Sequence, residues 1–264
     1  VQLDTGPIAL APGEEKTLCV FLELPSDVPL AVTGFEQQNR GFAHHFILFR
    51  AAAAEPPGVR DCPTGLFTQH PPIYPGTRDQ GPFHMPEAVA LELDARQPLI
   101  LQLHLLSTQP AETEERLRMN LHARAADGAY DRAGIVGGSD FDFQIPPQSV
   151  HTETQRCVIG GDVEVFALTS HSHARTQSFD VAVVAPSGPK PVYHSADWAE
   201  PEVTHYDPTL LVRGGFAGGI EFSCTWKNDD AHAVGYGDTA ADEMCMVFGY
   251  YFPATLDLLP CVGL

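Results

Sequence analysis

Three groups of histidines have a spacing that could do chemistry. His44 and His45 stand side by side in the apolar run GFAHHFILF, His104 lies in LILQLHLLS, and His171 and His173 flank Ser172 directly after VEVFALTS. Residues i and i+2 of a strand project to one face, so the imidazoles of His171 and His173 can reach one metal ion. That spacing serves zinc, copper and iron alike. Adjacent residues diverge on a regular strand, so His44 and His45 are either a ligating pair or two hydrogen-bonded histidines with one ring on each face. His104, taken alone, reads as a satisfied core histidine before it reads as a ligand. No residue stands out as a covalent nucleophile or a general base.

The segments carrying these histidines must be strands for the spacing to matter. Residues 17–24, 42–50, 99–106, 117–123, 163–169, 179–184, 219–226 and 246–252 are rich in β-branched, leucine and aromatic side chains and are bounded by Gly, Pro, Asp or Ser. Helical periodicity is confined to a turn or two around 112–117 and 239–244. With 264 residues, 44% of them hydrophobic, 23 Gly and 23 Pro, the chain is long enough for a real core and is expected to be all-β, in one or two domains. Paired glycines and prolines in 132–147 mark a linker or domain boundary, and the Pro-rich stretch 51–86 reads as a long functional or disulfide-pinned loop.

Charge and cysteine content narrow the function classes. Fifteen Lys and Arg against 34 Asp and Glu give a net charge of −19, which opposes phosphate recognition and excludes nucleic acid as a partner. No apolar run approaches the roughly 18 residues that span a bilayer. The start at Val1, without Met and without a signal-like segment, reads as a processed or trimmed product. Six cysteines without CxxC spacing fit three disulfides better than buried thiols, and hence a secreted or periplasmic protein. Their pairing stays open at this level.

A fourth segment, GDTAADEMCMVFGYYFP at 237–253, joins the histidines. Taken in order with the paired histidines, the lone strand histidine and HxH, it resembles the copper type II, ascorbate-dependent monooxygenases, the family of peptidylglycine α-hydroxylating monooxygenase and dopamine β-monooxygenase. The resemblance spans nearly the whole chain. It implies two jelly-roll-like antiparallel β-sandwich domains, residues 1–138 and 139–264, with one copper on each. His44, His45 and His104 match the electron-transfer copper; His171, His173 and Met244 match the copper where oxygen is activated and substrate is hydroxylated. It also implies the disulfides Cys19 to Cys62, Cys157 to Cys261 and Cys224 to Cys245, with dioxygen, a small-molecule substrate and ascorbate or another one-electron reductant as reaction partners. The ligand types fit that chemistry: imidazole binds both copper oxidation states, and a thioether favours Cu(I). Without the histidines, Met244 would read as a core methionine beside a disulfide. Asp242 and Glu243 are either acceptors that orient an imidazole or solvated charges.

Departures from the family pattern bear on the substrate. Peptide-amidating relatives hold a substrate carboxylate with an Arg two residues before HxH and with an Asn and a Tyr two and four residues after the ligand Met. Here those positions are Thr169, Met246 and Phe248, none of which donates a charge-assisted hydrogen bond. Peptide amidation is disfavoured, and an apolar, aromatic pocket suits a hydrophobic C–H donor. A further cysteine those relatives carry after the HH strand is absent near Arg50. His84 in GPFHMP and His205 in THYDP fall in loop-like segments from which they could reach a copper. The function expected is a copper-dependent monooxygenase hydroxylating an aliphatic or benzylic C–H bond of a small, non-peptide molecule. The alternative is a secreted copper-binding or copper-delivery protein with the same ligands and no hydroxylase activity; a structural adhesion module would leave all six ligands unexplained.

Overall fold

A computed structural model describes residues 1–63, 66–237, 239, 241–260 and 262–263. The chain divides into two compact units, Val1–Ala133 and Gly134–Leu264. Each is a jelly-roll-like sandwich of largely antiparallel sheets, and the one helix among the described residues is the four-residue Leu66–Gln69. No helix is long and apolar enough to cross a membrane among the described residues.

In the first unit one sheet runs Gln2–Asp4, Arg118–Ala125, Leu30–Gln38, Val89–Leu93, Asp131–Arg132, with Phe83–His84 added on Leu30–Gln38. The other runs Gly58–Asp61, Glu15–Glu23, Pro98–Leu106, Ala43–Arg50, Pro72–Thr77. Inward-facing aromatics join the two: Phe35 of the first sheet stacks on Tyr74 of the second at 4.4 Å, with Phe46 and Phe83 beside them. All four are buried, and each contributes roughly 1.5–3 kcal/mol by removal from water. The Cys19–Cys62 disulfide ties strand Glu15–Glu23 to the end of its edge neighbour Gly58–Asp61.

In the second unit the strands Thr204–Val212, Val163–Ser172, Cys245–Phe252, Gly134–Ser139 and Leu258–Pro260 form one sheet, and Gly188–Ser195, Thr176–Ala185, Ile220–Asn228, Ser149–Val158 and Val262–Gly263 the other. Val165, Leu168 and Val247 of the first meet Phe179, Phe222 and Trp226 of the second in one core. The Cys224–Cys245 disulfide crosses between the sheets inside that core. Cys157 is also disulfide-bonded, and its expected partner Cys261 lies outside the described residues.

Several expectations need correction. The stretch 51–86 is not one long loop but holds three strands and the short helix. Pro72 and Pro75 misled because proline lacks the ladder donor, yet Pro72–Thr77 lies at the sheet's edge, where only one side must pair. Gly76 in that strand leaves room for the Phe46 ring, which any Cβ would strike. Around 112–117 the chain forms the strand Thr113–Glu115 against Ile8–Leu10 instead of a helical turn. Within 132–147, Gly134–Ser139 is a strand paired on both sides. His84 and His205, expected in loops, lie on strands Phe83–His84 and Thr204–Val212.

The inter-sheet bridge yields a stability prediction. Closing a loop of 21 residues, Cys224–Cys245 restricts the unfolded chain, so the Cys224→Ala, Cys245→Ala double variant should lose about 3 kcal/mol of unfolding free energy. Urea denaturation followed by Trp226 fluorescence reads this directly; an unchanged midpoint would remove the bridge from the stabilising interactions.

Candidate functional site

Strand geometry alone would send His44 and His45 to opposite faces. The register prevents it: His104 lies opposite His45, but the next residue, Leu105, lies opposite Ala43, so His44 is the extra residue of a β-bulge. The bulge turns His44 toward its neighbours. Its Nδ1 is 3.4 Å from His45 Nδ1, and the His44 and His45 ring centres are 5.6 and 4.8 Å from that of His104. One ligand atom from each of the three histidines lies within 4.8 Å of the others. His104 Nε2–H donates to Glu15 Oε1 at 2.7 Å, leaving Nδ1 as the nitrogen with a lone pair for a metal. Three imidazoles of this spacing, one oriented by a carboxylate, fit a borderline transition-metal ion such as copper.

The bulge has a cost that a buried carboxylate meets. Where the chain enters Ala43–Arg50, the amides of Arg40, Phe42 and Ala43 all donate to Glu115, at 2.7, 2.8 and 3.0 Å. Glu115 is fully buried and also accepts from the Arg116 amide. The backbone ahead of His44 is thereby fixed.

In the second unit His171 lies opposite Met246, and Ser172 opposite Cys245. One step further come His173 and Met244, just past the two strand ends. The rings of His171 and His173 are 5.4 Å apart and nearly perpendicular, as the i, i+2 spacing predicts. His173 Nδ1–H donates to the Asp242 carbonyl oxygen at 3.0 Å; a carbonyl only accepts, so Nε2 is the nitrogen left with a lone pair for a metal. Met244 is buried beside the Cys224–Cys245 bridge.

Asp242 and Glu243 divide their roles in a way the sequence did not disclose. Asp242 orients the imidazole through its backbone, while its side chain accepts from Thr239. Glu243 is fully buried and accepts from the amides of His173 and Arg175 at 3.1 and 2.7 Å. Burial pushes its carboxyl above the ordinary range, and the amides of Arg175 and His173 and the Arg175 charge pull it back. Arg175 in turn grips Asp230 and the Ala241 carbonyl, closing the loop that carries Met244.

The face of the sheet that carries His171 also carries Thr169, Met246 and Phe248. Thr169 lies opposite Phe248 as His171 lies opposite Met246, so all four share one face. Thr169, Met246 and Phe248 are buried and uncharged. His205 lies opposite Ala167 and is exposed, and His84 is an exposed residue next to His122.

Residues 134–263 match the model of the copper type II ascorbate-dependent monooxygenase C-terminal domain. The second unit is therefore such a domain, and through it the chain belongs to the copper type II, ascorbate-dependent monooxygenase family. No curated protein matches the chain. Among solved structures, one described as the triple jelly-roll fold of an archaeal virus is 8% identical over 95% of this chain and 58% of its own length, with a TM-score of 0.29. The STIV MCP is 11% identical over 95% of this chain and 91% of that one, with a TM-score of 0.28. Likenesses this slight say nothing about the site.

Glu243 supplies the test of this geometry. Glu243→Ala leaves two buried amides without acceptors at roughly 1–3 kcal/mol each, so unfolding free energy should fall by about 2–6 kcal/mol. Glu243→Gln keeps a carbonyl acceptor and should lose less. Denaturant melts of both variants decide it, and equal losses would mean that the amides do not depend on the carboxylate.

Proposed function

We propose that this protein is a copper-dependent monooxygenase that hydroxylates an aliphatic or benzylic C–H bond of a small, non-peptide substrate, with dioxygen and an external one-electron reductant such as ascorbate. The observation that carries the reading is the convergence of His44, His45 and His104 on one point, in a chain whose second unit is a monooxygenase domain with HxH and Met at the same strand ends. Copper at these sites, two ions per chain, would supply one-electron transfer and the activation of dioxygen.

The chain's own residues perform the rest. His44, His45 and His104 offer an all-imidazole site suited to both copper oxidation states, so an electron can pass without loss of the ion. His171, His173 and Met244 offer a mixed site whose thioether favours the reduced state. Because no side chain here acts as nucleophile or base, catalysis must come from positioning the C–H bond. The face shared by His171, Met246, Thr169 and Phe248 supports an apolar substrate: Thr169, Met246 and Phe248 offer a substrate carboxylate no charge. The disulfides fit a secreted or periplasmic setting.

Met244→Ile tests the reading, because it keeps most of the apolar volume and removes the sulfur. Reductant-driven oxygen consumption should collapse, copper should remain at the three-histidine site, and stability should fall by less than about 1.5 kcal/mol. Sulfur scattering should vanish from the Cu(I) X-ray absorption spectrum. Retained activity with an unaltered spectrum would take Met244 out of the site and favour a copper-delivery protein instead.

A further inference from the structure

We propose that His84, His122 and Glu36 form a third metal site, on the outer face of the first unit's six-stranded sheet, which takes a divalent ion of the zinc type. The three residues come from separate strands: Phe83–His84 and Arg118–Ala125 flank Leu30–Gln38 on either side. Both histidines lie opposite the same residue, Gly34. Residues two strands apart are normally separated by the side chain between them, and here that side chain is missing. The rings meet across the glycine with centres 5.8 Å apart. This matches the 5.6 Å spacing of His44 from His104 and the 5.4 Å spacing of His171 from His173.

The arrangement is built into the backbone. A Cβ on Gly34 would lie 3.0 Å from His84 Nδ1 and 2.6 Å from the Phe83 carbonyl oxygen, so the imidazole occupies the space a side chain would take. A register shift after His122 leaves Thr33 as an extra residue, whose hydroxyl donates to the His122 carbonyl. Glu36, two residues along the same face, places Oε2 3.4 Å from His122 Nε2. Phe35, between them, points the other way and stacks on Tyr74 in the core, so the site faces away from it. Two imidazoles and a carboxylate are a donor set for Zn(II), Cu(II) or Ni(II), and the chain's net charge of −19 favours any cation. The three donors are less converged than those of His44, His45 and His104; both histidines are exposed, and metal binding here requires their side chains to rotate toward one another.

A bound ion would pin the two-residue strand Phe83–His84 to the body of the sheet. The proposal does not rest on the monooxygenase reading, because its residues belong to neither proposed copper site. Zn2+ titrated calorimetrically into the metal-free full chain should bind one equivalent more in the wild type than in His84→Ala or His122→Ala, whatever the other sites take up. Glu36→Gln should weaken that equivalent about tenfold or more. Zn2+ should also protect His84 and His122 together from diethyl pyrocarbonate, read by peptide mass spectrometry. Equal stoichiometry in wild type and both variants, or protection of only one of the two histidines, overturns the site. Circular dichroism confirms that the variants, altered at exposed positions, remain folded.

Discussion

At both proposed copper sites the histidines converge where the strands that carry them leave their ladders, and every amide released by that departure needs a new acceptor. An orphaned buried N–H costs as much as the packing of a small side chain contributes, so the departure is stable only if something buried replaces the ladder carbonyl. In both units that acceptor is a glutamate with no exposed surface. Glu115 collects the amides of Arg40, Phe42 and Ala43 ahead of the bulge at His44. Glu243 collects those of His173 and Arg175 beyond the end of Val163–Ser172. A carboxylate suits the task because its two oxygens accept several donors at once.

This division explains what the sequence disclosed and what it withheld. The pairing of His171 with His173 was legible because strand geometry acts on i and i+2 locally, and their rings lie 5.4 Å apart although His173 falls one residue past the end of Val163–Ser172. The convergence of His44 and His45 was expected from the family resemblance alone and was not legible in the strand pattern. It depends on a register shift opposite His104, sixty residues away, which no local pattern records. Glu115 was hidden for a related reason, and Glu243 stood open between an orienting acceptor and a solvated charge. Charged residues in short polar segments read as solvated, and Glu115 sat in a stretch whose pattern resembled a helical turn. Only the tertiary structure surrounds them with amides.

The fold class was legible from composition and strand patterning, yet whole strands escaped. Ser149–Val158 reads SVHTETQRCV and alternates exposed with half-buried positions, so its apolar signal is weak although it pairs on both sides. Its outer face is held by hydroxyl pairs instead, Thr152 with Thr225 and Thr154 with Ser223, at 2.8 and 3.0 Å. Leu30–Gln38 ends in GFEQQ, where glycine and two glutamines suggest a turn. Gly34 is there because His84 and His122 meet over it, and the polar end serves loop carbonyls through Gln37. In each case a contact distant in sequence assigns the residue its role.

The orienting partners also separate the two proposed copper sites electronically. His104 donates to a carboxylate, and a negative acceptor raises the electron density that the opposite nitrogen offers a metal. With three imidazoles, that favours the more highly charged oxidation state. His173 donates to a neutral backbone carbonyl, which does so less, and its companion Met244 contributes a soft sulfur. That combination favours the reduced state. The opposite tautomers follow from the same partners: Nε2–H toward Glu15 leaves Nδ1 at one site, and Nδ1–H toward Asp242 leaves Nε2 at the other. The nitrogen that His104 and His173 would each present to an ion, and the charge behind it, are thus set by Glu15 and Asp242, which lie outside the proposed ligand sets. A difference in redox preference between two histidine-rich sites on similar sandwiches then needs no difference in fold, only the exchange of a glutamate side chain for a peptide carbonyl and of an imidazole for a thioether.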